Sequence, residues 1–175
     1  LKKIKSTLPK YLKDFQEAGE LYKIDWRLTA ALGYQESHWD PKAVSPTGVK
    51  GLMMLTIPTS NRLGVTDRLD PKQNIFAATK YIEILKSNLP QKILEPDRTW
   101  MALASYNVGL GHVEDARILA ERFNLNPNHW VSIRRTLPLL SREKHYSTLK
   151  RGYARGGEAV ALVESVRNYY EIITN

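Results

Sequence analysis

The sequence predicts an all-α domain, on three observations. Apolar residues recur at three- and four-residue spacing along most of the chain, which stacks them on one face of a helix. Helix start and stop signals bracket these periodic segments. Strand-like alternation is hard to find anywhere.

The elements follow in order. Leu12, Phe15 and the Leu21-Tyr22 pair predict a first helix, and Ile24, Leu28, Ala31, Leu32 and Gln35 a second, capped by Asp25. Between Asp40 and Thr59 the text turns to Asp-Pro, Ser-Pro-Thr-Gly, Lys-Gly and Ile-Pro, which is loop and short-helix chemistry. Asp70-Pro71 opens a long helix whose face is Ile75, Ala78, Ile82, Leu85 and Leu89. Trp100, Leu103 and Ala104 predict another behind Asp97 as cap, stopping at Asn107-Val108-Gly109 because Gly tolerates the left-handed turn that ends helices. Val113, Ala116, Leu119, Ala120 and Phe123 form the next apolar face. The segment 142–157 is basic and Gly-containing, with Tyr146 and Tyr153 interleaved. Ala159, Leu162, Val166, Tyr169 and Ile173, widened by Val163 and Tyr170, predict a closing helix.

Composition bounds the function. The chain has 175 residues with 42% hydrophobic and 25% charged, so wholesale disorder is excluded and a single domain is the economical expectation. No Cys is present, which removes disulfides, thiol nucleophiles and thiolate metal sites. Lys plus Arg number 26 against 18 acidic residues, a balance that favours an anionic partner. No apolar run approaches the roughly 18 residues of a membrane span. The opening Leu1-Lys2-Lys3-Ile4-Lys5 has no signal core and reads as a cut end, so the chain is expected to be part of something longer.

Glu36 is the residue whose place is unusual. It lies four beyond Leu32 and eight beyond Leu28, at the edge of the buried stripe. A carboxyl group there loses hydration and holds its proton nearer neutral pH, as a general acid must. Position alone favours a solvated Glu near a helix end. Asp40, Asp67, Asp70 and Asp97 are the other acidic candidates, and turn or cap roles explain each. His38, His112, His129 and His145 lack metal-site spacing. Gly152, Gly156 and Gly157 lack the strand that a phosphate loop follows. Lys144, Lys150, Arg151 and Arg155, with Tyr146 and Tyr153, could bind a nucleic acid by charge and stacking.

Four blocks change the balance: Glu36-Ser37, Ser45-Pro46-Thr47-Gly48, Gly51-Leu52-Met53 and Ala104-Ser105-Tyr106-Asn107-Val108-Gly109. In this order they resemble the lytic transglycosylases of the soluble-type, lysozyme-like superfamily, whose pattern runs Glu-Ser, Ser-Pro-x-Gly, Gly-Leu-Met-Gln and Ala-x-Tyr-Asn-x-Gly. The resemblance extends from about Leu21 to Tyr170. Asp70-Pro71 to Asn74-Ile75 and Arg167-Asn168-Tyr169 fit it too. Met54 stands where the family carries Gln, as in its membrane-bound branch F, in which a regulatory domain resembling solute-binding proteins precedes the catalytic one.

The resemblance implies one lysozyme-like helical domain over 1–175 with an elongated substrate cleft. It makes Glu36 the sole catalytic acid and base. Ser37 would fix that helix end, and Ser45 would offer a hydroxyl in the cleft. Gly51, Leu52 and Met53 would form a wall, and Met54 would replace a polar substrate contact. Tyr106 and Asn107 would face the glycan, and Tyr169 would hydrogen-bond or position Glu36. The implied partner is the peptidoglycan glycan strand, with no cofactor, metal or nucleic acid, and the basic segment 142–157 would face the anionic wall. Cleavage would be non-hydrolytic and leave a 1,6-anhydromuramoyl end, in the periplasm of a protein attached to the outer membrane through parts outside this chain. A lysozyme-type hydrolase and a non-catalytic helical domain binding an anionic polymer are the competing readings.

Overall fold

A computed structural model describes residues 2–175. Among the described residues there are ten α-helices, two 3₁₀ turns and no sheet. Two isolated antiparallel bridges, Val44 to Lys50 and Lys50 to Leu55, are the extended pairings. The chain forms two compact units, Leu1–Glu83 with Ser165–Asn175, and Ile84–Glu164. No helix among the described residues is long and apolar enough to cross a membrane.

The first unit begins with α1 (Lys2–Ser6), α2 (Leu12–Tyr22) and α3 (Trp26–Ser37). α2 packs against α3 through Phe15 and Ala18, both fully buried. Leu21, expected on that face, is 61% exposed, and Gly19 is buried instead, where a Cβ would press on the carbonyl of Ile24 and on Trp26. Asp25 caps α3 as expected, accepting from the Arg27 N–H at 3.0 Å, while Ile24 is buried just ahead of the helix. A bridged loop leads to α4 (Ile57–Arg62) and to α5 (Pro71–Asn88), which starts at the Asp-Pro signal. Asp70 accepts from the Gln73 N–H at 3.2 Å, and the expected stripe Ile75, Ala78, Ile82, Leu85 and Leu89 is buried throughout, with Leu85 and Leu89 in the second unit and Leu89 just past the helix.

The second unit holds α6 (Asp97–Val108), α7 (Leu110–Arg122), α8 (Trp130–Thr136) and the one-turn α9 (Glu143–Tyr146). α6, α7 and α8 pack on one another around Met101, Leu103, Val113, Ala116, Leu119 and Ile133. Gly109 ends α6 at φ 95°, as the stop signal requires, with its N–H on Ser105 O. Asp97 is not the cap. It is the first helical residue, and Glu95 takes the capping role, accepting from the Thr99 N–H at 2.8 Å while paired with Lys86. Phe123 falls just beyond α7 and is 45% exposed, its ring edge-to-face with His145. The last helix, α10 (Gly156–Thr174), buries Ala159, Leu162, Val163 and Val166 and leaves Tyr169, Tyr170 and Ile173 half-buried.

Within the first unit the end of α10 is tied to the start of α3. The Tyr170 hydroxyl donates to Asp25 Oδ2 at 2.7 Å, and the Arg27 guanidinium pairs with the same carboxylate and lies over the Tyr170 ring. Partial burial works to raise the Asp25 pKa, but the bonds from Arg27 and Tyr170 outweigh it and hold the carboxyl below its ordinary value. A depressed acid contributes stability above its unfolded pKa and loses it as pH falls through the folded one. Asp25→Ala should therefore cost about 1 kcal/mol near neutrality, a cap-sized loss for a partly exposed group. Urea unfolding should show that cost shrinking as the pH falls below the ordinary Asp value of 3.8.

Candidate active site

Glu36 lies in the last turn of α3, half-buried. Burial alone pushes its carboxyl from 4.5 up to about 7, because the anion loses hydration that nothing nearby replaces. Near neutral pH the group therefore holds a proton in about half the molecules.

The helix end is built to hold it there. His38 and Trp39 both adopt left-handed backbone, at φ 54° and 58°, and turn the chain sharply back. Such a pair costs energy for residues with a Cβ. Burial of Trp39 offsets that cost. Its ring is 2% exposed, and its indole N–H donates to Ala30 O at 2.8 Å, back on the same helix. Sequence reasoning missed Trp39, although an aromatic directly after a helix stop was the available signal.

Ser37 Oγ donates to Leu52 O at 2.6 Å and accepts from the Asp40 N–H at 3.1 Å, joining the helix end to the 51–54 segment. In that segment Gly51 has φ 90°, and a Cβ there would overlap Arg68 O and the Asn74 amide. Leu52 and Met53 are fully buried and cover α3 at Gly33, where a Cβ would stand 2.9 Å from Met53 Sδ. Met54 is half-buried, also left-handed at φ 53°, with its N–H on Gly51 O. Met53 thus fills the core and lines the segment beside the helix at once.

The other expected residues are placed as follows. Ser45 Oγ meets Thr47 Oγ1 at 2.9 Å and accepts from the N–H groups of Thr47 and Val49, so its hydroxyl closes its own loop. Tyr169 packs edge-to-face on Tyr34 at 4.7 Å and lines an apolar cavity of about 60 Å³ with Trp39 and Ile173. Among the described residues no hydrogen bond joins Tyr169 to Glu36. Its neighbour Tyr170 makes the long-range bond instead, to Asp25. Tyr106 is half-buried and Asn107 exposed, in the last turn of α6 in the second unit. Asp40, Asp67 and Asp70 each accept from a backbone N–H two or three residues on. Of the basic segment, Arg151 pairs with Glu114 and Arg155 with Glu158.

This geometry has a thermodynamic consequence. An acid whose folded pKa is raised weakens the fold as pH climbs from its unfolded to its folded value, and the penalty is complete above the latter. For a rise from 4.5 to about 7 that penalty is on the order of 3 kcal/mol. Glu36→Gln should therefore be more stable than the wild type at pH 8 by up to that amount. The gain should shrink through pH 7 and vanish near 4.5, as denaturant midpoints across pH would show.

The chain is 56% identical over 173 residues to the membrane-bound lytic murein transglycosylase F of Methylobacillus flagellatus, covering 99% of this chain and 37% of that protein. It is 58% identical over 173 residues to the protein of the same name from Nitrosospira multiformis, covering 99% and 36%. The chain thus spans about a third of the length of these relatives. Its fold matches that of the 70 kDa soluble lytic transglycosylase of Escherichia coli with a TM-score of 0.62 at 22% identity, over 94% of this chain and 24% of that one. Residues 13–128 match the family described as the transglycosylase SLT domain, and the chain belongs to that family.

Proposed function

We propose that this chain is a catalytic region that cleaves the glycosidic bond between N-acetylmuramic acid and N-acetylglucosamine in peptidoglycan without water, leaving a 1,6-anhydromuramoyl end. The carrying observation is Glu36, a carboxyl raised to about 7 by burial in a chain of the transglycosylase SLT domain family.

Protonated Glu36 donates to the glycosidic oxygen as the bond to the anomeric carbon breaks. The substrate's own acetamido oxygen stabilises the positive charge left on that carbon. Ionised Glu36 then takes the proton from the muramoyl 6-hydroxyl, whose oxygen closes on the anomeric carbon. One proton is given, one is taken back, and Glu36 ends as it began. A pKa near neutrality suits a group that must act in both directions. The attacking hydroxyl is tethered to the carbon it attacks, so its effective concentration is far above that of a free reactant. No second carboxylate is needed to activate water, unlike ordinary glycosidases. The occupation of Asp40, Asp67 and Asp70 in turns supports this reading.

Ser37 and Gly51 to Met53 keep the acid in place, with Met54 where a polar contact to substrate would otherwise stand. Ser45, Tyr106, Asn107 and Tyr169 are assigned to the glycan or to the acid on the family resemblance. Residues 1–175 serve as one lysozyme-like catalytic domain of a longer protein with a regulatory domain, working in the periplasm and attached to the outer membrane outside this chain. The relatives' length and the words "membrane-bound" in their names support that arrangement.

Glu36→Gln decides the chemistry. It keeps size and one acceptor but can neither give nor take the proton, so release of soluble muropeptides should fall by at least about 10²–10⁴-fold with the fold intact. A folded variant with near-normal release would refute the mechanism. Mass spectrometry of the wild-type products should show ends one water lighter than ordinary reducing ends. Ordinary reducing ends would keep Glu36 as acid and make the enzyme a hydrolase.

A further inference from the structure

Asn74 is a fully buried polar side chain that neither the resemblance nor the chemistry of cleavage assigns a role. It stands in the first turn of α5, and all its side-chain bonds run to main chain outside that helix. Oδ1 accepts from the Met53 N–H at 2.6 Å, and Nδ2 donates to Arg68 O at 2.9 Å and to Lys50 O at 3.3 Å. One amide thus joins two backbone groups of the 50–53 segment to the carbonyl of Arg68, where the local bridges of Lys50 to Val44 and Leu55 leave the Met53 N–H to be met by a side chain. Buried main-chain groups left without partners are costly, so the amide determines where this segment can lie.

The segment is pinned from the opposite side by the helix that bears Glu36. Ser37 Oγ reaches Leu52 O at 2.6 Å, one residue from the N–H that Asn74 holds. One turn earlier on α3, Gly33 has no Cβ, and the space that one would take is closed by Met53 Sδ and Leu52 Cδ2. Gly51 makes the matching allowance on the other side, since a Cβ would overlap the Asn74 amide. Two missing side chains and two polar ones therefore draw residues 51–53 flat between α5 and the end of α3. Glu36 lies between Gly33 and Ser37 in sequence, next to the residue whose hydroxyl holds Leu52 O.

We propose that Asn74 is a positioning residue for the reaction: by holding Met53 N–H, Lys50 O and Arg68 O it seats the 51–53 backbone against α3 and keeps solvent away from the Glu36 carboxyl. The proposal rests on the reading of Glu36 as the acid. Burial is what raises Glu36, so its titration responds to how closely its surroundings are packed.

The test is the titration of Glu36 followed by carbon-13 NMR of its carboxyl, beside the alkaline limb of activity on purified peptidoglycan sacculi. Asn74→Ala should move the Glu36 titration from about 7 toward 4.5 by a pH unit or more, and the alkaline limb should move with it. Thr136→Val is the control, because it removes a buried bond to Ala116 O in the second unit. It should lower the melting temperature and leave both the titration and the limb in place. Should Asn74→Ala fail to fold, Asn74→Ser is neutral and too short to hold all three main-chain groups, and it should shift the titration in the same direction. A folded Asn74 variant whose Glu36 titration moves by less than about a third of a pH unit would overturn the proposal. A shifted titration with an unmoved activity limb would uphold the positioning role and refute Glu36 as the acid.

Discussion

The 2.6 Å bond from Ser37 Oγ to Leu52 O is the contact on which the site depends. It joins the end of a helix to a segment whose local bridges leave Leu52 O and the Met53 N–H to be met by side chains. Asn74 supplies these bonds from one side and Ser37 from the other, and Gly33 and Gly51 remove the side chains that would hold the layers apart. Next to this junction stands a buried carboxyl group, with nothing of opposite charge to welcome its ionised form.

That arrangement costs stability and, on the proposed function, yields reactivity. A carboxyl raised to about 7 is a poor surface residue but an apt proton donor and acceptor near neutral pH. Backbone strain gathers in the same place. Among the described residues, His38, Trp39 and Met54 are three of the five non-glycine residues at positive φ, all within the segment that follows Glu36. Strain of this kind persists only where neighbouring contacts over-determine it. Here the buried Trp39 ring, its bond to Ala30 O and the clamped 51–53 backbone do so.

The last helix contributes to the same unit across 145 residues of sequence. Tyr170 binds the Asp25 cap at the start of α3, while Tyr169 leans on Tyr34 near its end. Two adjacent tyrosines therefore brace the helix that bears Glu36 at two heights. Their polar and apolar functions are divided: one hydroxyl makes a hydrogen bond to a carboxylate, and the other ring packs edge-to-face in an apolar cavity.

What the sequence determined by itself was local. Helical class, the Asp25 cap, the Asp70-Pro71 start, the Gly109 stop and the α5 stripe were legible, because each depends on residues within a turn or two. Glu36 was legible as a carboxyl at the edge of an apolar stripe. The misreadings have one cause. Leu21, Phe123 and Asp97 follow the local pattern, but neighbouring positions took the buried or capping roles once the helices packed: Gly19 against Ile24 and Trp26, and Glu95 against Thr99 and Lys86. Asn74, Trp39 and Tyr170 were invisible as partners, since an amide, an indole or a phenol carries no sign of which distant main-chain or carboxyl oxygen it will meet. Tertiary structure alone decided those pairings, because they exist only when segments far apart in sequence are brought within hydrogen-bonding distance.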